Sequence, residues 1–247
     1  MGKTKDVTFH YDEAYKCDVA LFTFKDDVCS SDGVVDPGAN QTEGLSITGK
    51  GKASLLLSEH FFPLLGFNVN THFLRADVAN GTMLCQKLNM IPLEFIWRNK
   101  AWGSFCKTYG VPQGQDLGEL VEVTLKNDEL GDPRICEDAC VKLGLVTRND
   151  YQQCYRYTKL VGEVLARELH KHQYELIDFK VEFGLFDGVV KLADEISGDI
   201  WRILDKDGNP VDPITAAETI TQTVICGDKF PGSEAYKGGI CGCGCTK

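Results

Sequence analysis

The sequence predicts an α+β protein in two parts, a strand-rich N-terminal part and a larger mixed one. Three stretches carry that prediction. Over 177–183, Ile177, Phe179, Val181 and Phe183 alternate with Asp178, Lys180 and Glu182; Phe186, Asp187 and Gly188 then turn the chain into a return strand over 189–196. This is the two-residue period and the turn of a β-hairpin with one oily and one charged face. Ahead of it, 147–171 places Tyr151, Tyr155, Thr158, Val161 and Leu165 on one side of a long amphipathic helix, with Thr147 or Asn149 as its cap. Earlier still, 88–92 (Leu-Asn-Met-Ile-Pro) looks like a connector. It sets the expected division into 1–90, 91–225 and a glycine- and cysteine-rich tail, 226–247.

In chain order, strands are expected at 6–9 and 18–24, and the polar stretch 25–48, with Gly33, Pro37, Gly38 and Gly44, reads as a long loop. Leu55, Leu56, Phe61, Phe62 and Leu65 recur at helical intervals, so 52–65 is predicted to be a helix packed on a sheet. Strand-like segments follow at 70–75, 81–87 and 93–98, then a short helix within 101–109 and a strand at 119–126. The loop 127–133 carries Asp128, Glu129 and Asp132. Beyond the hairpin, 213–224 reads as a short helix and 227–247 as unstructured.

A chain of 247 residues with 43% hydrophobic content can bury a real core. Its net charge of −10 argues against non-specific binding to nucleic acid or anionic membrane, both of which need a basic surface. No apolar run approaches the ~20 residues of a membrane helix, and Met-Gly-Lys-Thr-Lys is no signal peptide. Eleven cysteines, most of them scattered without framework spacing, suit free thiols in a reducing compartment, and a cytoplasmic location is expected. Cys241, Cys243 and Cys245 form a thiol-rich tail, but three ligands make no closed tetrahedral metal site.

The hairpin raises a question of register. A strict two-residue turn at Asp187-Gly188 would pair Val181 with Asp194 and set that carboxylate on the greasy face, where an unpaired charge is costly. An odd loop is therefore expected, bringing Asp194 to the face of Lys180 and Glu182. Two readings of that face stand: a solvated strand surface with a salt bridge, the commoner case for such spacing, or two carboxylates around a hard divalent ion such as Mg²⁺. Likewise Gly2-Lys3-Thr4-Lys5 before a strand is either a phosphate cover or a pair of solvated lysines.

Taken together, the motifs resemble the SAICAR synthetase family. The matching strings are GKTK at 2–5, KDD at 25–27, GKG at 49–51, KLNMIPLE at 87–94, RNKAWGS at 98–104, KNDELGDP at 126–133, DFKVEFG at 178–184 and LADEISGDIWR at 192–202. The resemblance implies a two-part α+β fold with an antiparallel nucleotide-binding sheet and ATP held between the parts. It implies an ATP-dependent ligase joining the carboxylate of carboxyaminoimidazole ribotide to the amine of L-aspartate, in the cytoplasm, with a homodimer by analogy. It further implies roles for single residues. Lys3, Lys5 and Lys87 would screen the triphosphate, and the backbone at Met90 would meet adenine. Glu182 and Asp194 would hold Mg²⁺. Arg98, Ser104, Asp199 and Arg202 would bind the ribotide, with Lys180 facing its carboxylate, while Lys126 and Asp132 would grip the amino acid.

The chain also departs from the pattern. Met1 directly precedes GKTK where the family has a short strand, Cys29 replaces a serine, and Ser54 and Leu55 replace paired asparagines. Residues 208–247 stand where an arginine-containing segment and a closing helix are expected. The activation residues are retained, and acceptor recognition is where the chain differs. A ligase for another acceptor in specialised nucleoside metabolism, or a non-catalytic nucleotide- or metal-binding descendant, are the alternatives.

Overall fold

The computed structural model describes residues 4–27, 30–31, 34–35 and 46–226. Lys3 and the cysteines of the tail lie outside the described residues. β1 (Lys5–Asp12) and β2 (Cys17–Phe24) pair without a register shift, from Lys5 with Phe24 to Asp12 with Cys17. Within the stretch expected to be a loop, β3 (Ser30–Ser31) and β4 (Val34–Val35) form a short antiparallel ladder. α1 (Lys50–Leu65) follows, then β5 (Phe73–Asp77) and β6 (Thr82–Gln86), which complete a four-stranded sheet in the order β1-β2-β6-β5.

The second sheet begins with β7 (Asn89–Lys100), so residues 89–92, expected to be a connector, are already strand. The pairing of β7 with its neighbour shifts between Met90 and Glu94. A bulge of this kind tolerates Pro92, which has no N–H to give to a ladder. α2 (Ser104–Tyr109), β8 (Asp116–Leu125), a 3₁₀ turn at Asp128–Leu130 and α3 (Glu137–Lys142) come next. α3 was not expected from the sequence. α4 (Arg148–Lys171) starts at Thr147, whose hydroxyl accepts the Asp150 N–H at 3.1 Å, settling the choice of cap. β9 (Glu175–Phe186), β10 (Val189–Ala193) and β11 (Trp201–Leu204) complete the sheet, ordered β10-β9-β7-β8 with β11 also paired to β9.

The short helix expected at 213–224 is present. α5 (Pro213–Thr221) follows the hairpin, capped by Asp212, which accepts the Ile214 and Thr215 N–H groups at 3.0 Å. It buries Ala216, Ala217 and Ile220 and packs on α1. No arginine follows Arg202, however.

One face of the five-stranded sheet lies under α4. There Leu93, Phe95, Trp97, Val123, Phe179, Val181 and Phe183 are buried, with Trp97 stacked on Phe179 at 5.5 Å and Phe95 edge-on to Phe183. A single apolar cluster joins this layer to Ala20, Phe22 and Met83 of the first sheet. α4 approaches so closely at Gly162 that a Cβ there would stand 2.6 Å from Trp97 Nε1. Gly162→Ala is therefore expected to destabilise the fold by about 1–3 kcal/mol, the usual cost of overpacking, measurable as a lower urea midpoint at unchanged slope.

The hairpin turn is the strict two-residue one, not the odd loop. Val189 pairs with Phe186 and Ala193 with Glu182, and both turn residues are left-handed, Asp187 at φ 49° and Gly188 at φ 75°. Such turns match the twist of the strands they join. The threat to Asp194 is removed by another route: the ladder stops at Ala193, and Asp194 itself turns left-handed at φ 66°. The charged face is only partly solvated: the Lys180 side chain is 36% exposed and that of Asp194 29%, while Asp178 is 3% exposed, Glu182 7%, Glu94 6% and Arg98 2%.

Candidate active site

On the sheet face turned away from α4, strand register sets side chains in rows. Glu94 of β7 lies opposite Glu182 of β9, Ile96 opposite Lys180, and Arg98 opposite Asp178; β10 adds Ala193 beside Glu182, and β11 adds Arg202 beside Asp178. At one end of these rows Met90, half exposed, lies opposite Gly184, which pairs in turn with Lys191. The alternation of β9 thus delivers a carboxylate, an ammonium and a second carboxylate in sequence, about 7 Å apart along the strand.

Almost every charge in these rows has a partner. Lys180 donates to Glu94 at 2.7 Å, and the other Glu94 oxygen accepts from Thr124 at 3.0 Å. Burial disfavours the Lys180 ammonium, but Glu94 beside it raises its pKa above the ordinary range. Lys126 reaches both oxygens of Glu182, at 2.5 and 2.6 Å. Burial first, and then the nearby Asp194 charge, push the Glu182 carboxyl up against the opposing pull of Lys126. Lys5 bridges Asp194, at 2.7 Å, and Glu195. This trio holds two carboxyls for one ammonium in a buried place. Burial pushes Glu195 up to about 7; it presses Asp194 the same way, but there Lys5 prevails and the pKa is lowered.

At the far end, Arg98 donates through Nε to Glu122 and through Nη1 to Asp178, both at 2.7 Å, with Nη2 3.5 Å from the Ser104 hydroxyl. Arg202 donates to the same Asp178 oxygen at 2.8 Å. Gly103 turns the chain beside them at φ 54° and ψ −123°, and a Cβ on it would stand 3.1 Å from Arg202 Nη2. Gly103→Ala is expected to cost on the order of 1–3 kcal/mol through backbone strain, read as a lower denaturation midpoint.

The GKG string has a structural account. Gly49 is left-handed at φ 92°, a Cβ on Gly51 would meet the Lys25 carbonyl at 2.9 Å, and the Gly51 N–H donates to Asp26 at 2.8 Å. Between the glycines, the fully buried Lys50 pairs with Asp199, which also accepts from the Ser54 hydroxyl at 3.1 Å. Asp132 accepts the Asn127 N–H at 2.8 Å and so closes the loop after Lys126. Lys87 stands apart from the rows, on the surface, 3.5 Å from Asp18 and over the Phe9 ring.

The structure adds Glu94, Glu122, Asp178, Lys50 and Gly103 to the residues expected from the sequence. Glu94, Asp178, Lys50 and Gly103 sit inside matched strings, and the alternation of β9 places Asp178 with Lys180 and Glu182. Glu122 had no such signal, since only the pairing of β8 brings it to Arg98.

Comparison with known proteins agrees with this geometry. The SAICAR synthetase family profile matches residues 1–215. The phosphoribosylaminoimidazole-succinocarboxamide synthase of Clostridium tetani is 40% identical over 228 residues, covering 90% of this chain and 97% of that protein. The enzyme of the same name from Finegoldia magna is 36% identical over 84% of this chain and 85% of its own. Among solved structures, a SAICAR synthetase in complex with ADP superposes with a TM-score of 0.78 at 33% identity, covering 91% of this chain and 97% of that one. The Pyrococcus horikoshii SAICAR synthetase gives 0.76 at 32% identity, covering 89% and 98%. With charged residues from several of the matched strings paired along one sheet face, the chain belongs to the SAICAR synthetase family, ATP-dependent ligases of purine biosynthesis.

Proposed function

We propose that this chain converts the carboxylate of carboxyaminoimidazole ribotide to an acyl phosphate with ATP and joins it to the amine of L-aspartate. The observation that carries the reading is the order of charges along β9: Glu182 near Asp194, then Lys180, then Asp178 under Arg98 and Arg202. That order suits a nucleotide at one end and, along the strand, an acceptor bearing a carboxylate and then a phosphate.

A carboxylate resists amine attack because its carbon is electron-rich and an oxide is a poor leaving group. In the proposed reaction a carboxylate oxygen takes the γ-phosphoryl group and ADP leaves. The aspartate nitrogen then adds to the acyl carbon, the C–O bond to phosphate breaks, and the nitrogen gives up its proton. Phosphoryl transfer depends chiefly on positioning and charge neutralisation. Lys180 neutralises the carboxylate as it approaches, and Arg98, Ser104 and Arg202 hold the ribotide phosphate, where a guanidinium fork fits better than an ammonium. Asp199, fixed by Lys50, completes the ribotide side. Lys126 and Asp132 offer opposite charges to the amino acid. Lys3, Lys5 and Lys87 screen the triphosphate, the Met90 backbone meets adenine, and the nucleotide lies between 1–90 and 91–225.

Glu182 and Asp194 fit a hard divalent ion. Both are oxygen donors, each drawn to an ammonium, and the proximity of Asp194 helps raise the Glu182 pKa. Among the described residues, no group of three or more His, Cys, Asp or Glu side chains is gathered around one point. Mg²⁺ keeps several waters and takes one or two carboxylates plus phosphate oxygens. When bound, Mg²⁺ would neutralise charge on the transferring phosphoryl group. A cytoplasmic homodimer acting on small molecules belongs to the same proposal.

Incubation with ATP, Mg²⁺, L-aspartate and the ribotide, followed by mass analysis, tests the reading. The expected products are the succinocarboxamide ribotide, ADP and phosphate in equal amounts. Absence of any ribotide-dependent product at saturating ATP and aspartate would overturn it.

A further inference from the structure

Asp194 owes its position to a backbone turn that ordinary side chains avoid. Its φ of 66° ends the β10 ladder one residue after Ala193 pairs with Glu182. Continued pairing would set the side chain opposite Val181, on the face packed under α4. The left-handed residue therefore decides whether the Asp194 carboxylate stands near Glu182 or points into the apolar layer. Such a conformation is uncommon in a non-glycine residue, though less so for Asp, and groups that bond it favour it.

Two neighbours hold it. Lys5 takes the carboxylate, at 2.7 Å. The backbone carbonyl, released from the ladder, accepts from Nε2 of His72 at 2.8 Å. His72 is 3% exposed, with Phe22 edge-on and Phe62 tilted against its ring, each at 5.6 Å between centroids. Its main chain is tied on both sides: its N–H donates to Leu192 at 3.0 Å, and its carbonyl accepts from Gln86 at 2.7 Å. Next to it, Thr71 bridges Leu192 in parallel, and Leu192 donates to the Asn70 carbonyl at 2.8 Å. The ring cannot drift, and a bond to a carbonyl oxygen requires the proton on Nε2.

We propose that His72 is a positioning residue for the metal-nucleotide end of the site. By holding the Asp194 carbonyl from the residue just before β5, it keeps that residue left-handed and its carboxylate directed toward Glu182. The inference rests on the proposed role of Glu182 and Asp194 as the Mg²⁺ pair. It adds a residue that touches neither metal nor substrate and that ties the four-stranded sheet to the hairpin carrying both carboxylates.

The test is calorimetric binding of ADP to the full chain with and without Mg²⁺, which needs no turnover. Wild type is expected to bind ADP more tightly with Mg²⁺; if it shows no such increment, the metal reading itself fails, and this proposal with it. Given the increment, His72→Phe keeps the ring volume but not the donor, and should reduce the increment about fivefold, the worth of one neutral hydrogen bond. ADP affinity without Mg²⁺ should stay within about twofold of wild type by the same scale. His72→Gln, which can place an amide donor near the Nε2 position, should restore most of the loss. If His72→Phe fails to fold, His72→Leu replaces it in the same comparison. An unchanged increment in the donor-free variant, or an equal loss in His72→Gln, would show that the imidazole only fills space.

Discussion

Glu182→Gln is expected to lower Mg²⁺-dependent ATP turnover by at least about 100-fold, because a direct ligand should matter no less than the outer-shell partners whose loss costs about 10–100-fold, while the protein stays folded. The two halves of that expectation have separate causes. Glu182 is buried between Lys126 and the Asp194 charge, and its carboxyl is pushed above its ordinary range. A raised pKa means that the folded state disfavours the ionised form relative to the unfolded chain. A neutral isostere relieves that penalty, and Lys126, half exposed, can return to water. The Tm should therefore move by no more than about 2–4 °C, the shift that 1 kcal/mol makes in a chain of this size. Turnover falls because an amide is a poor ligand for a hard cation. A Mg²⁺ titration of ATP turnover that superimposes on wild type would remove Glu182 from the metal role.

The contrast between Glu182 and Asp194 shows how far local pattern carries. Alternation over 177–183 predicts β9 and its two faces, because the side-chain period of a strand is a local property. The same pattern leads to the wrong turn. It weighs the cost of a charge on the oily face, yet carries no information that one residue will leave the ladder in a left-handed conformation. That choice depends on Lys5 and His72, which are remote in sequence and adjacent only after folding. Likewise the helix over 147–171 and its Thr147 cap are written in the sequence, whereas Gly162 acquires its meaning from Trp97 on another element. Arg98 and Arg202 are legible as candidate anion ligands from their strings. Their unequal burial, and the carboxylates that share them, arise from the pairing of four strands.

That inequality separates the two arginines experimentally. Arg98 is 2% exposed and bonded to both Glu122 and Asp178, which are themselves buried. Arg98→Ala leaves two carboxylates short of a cation, although Arg134 still reaches Glu122 at 2.6 Å and Arg202 still reaches Asp178. The expected loss is about 3 kcal/mol, the lower end for breaking a buried ion pair, seen as a fall in the urea midpoint. Arg202 has a side chain 19% exposed, and its partner Asp178 keeps Arg98. Arg202→Ala should therefore cost less stability than Arg98→Ala, because Asp178 keeps its bond to Arg98. Its effect should fall on the ribotide. One charge-assisted hydrogen bond is worth about 1.5–3 kcal/mol, which raises KM for the ribotide by one to two powers of ten, roughly. KM for ATP should hold, because the proposed partner is the acceptor's phosphate and not the nucleotide. An equal rise in both constants would place Arg202 in a general structural role, and a rise for ATP alone would move the phosphate site to the other end of β9.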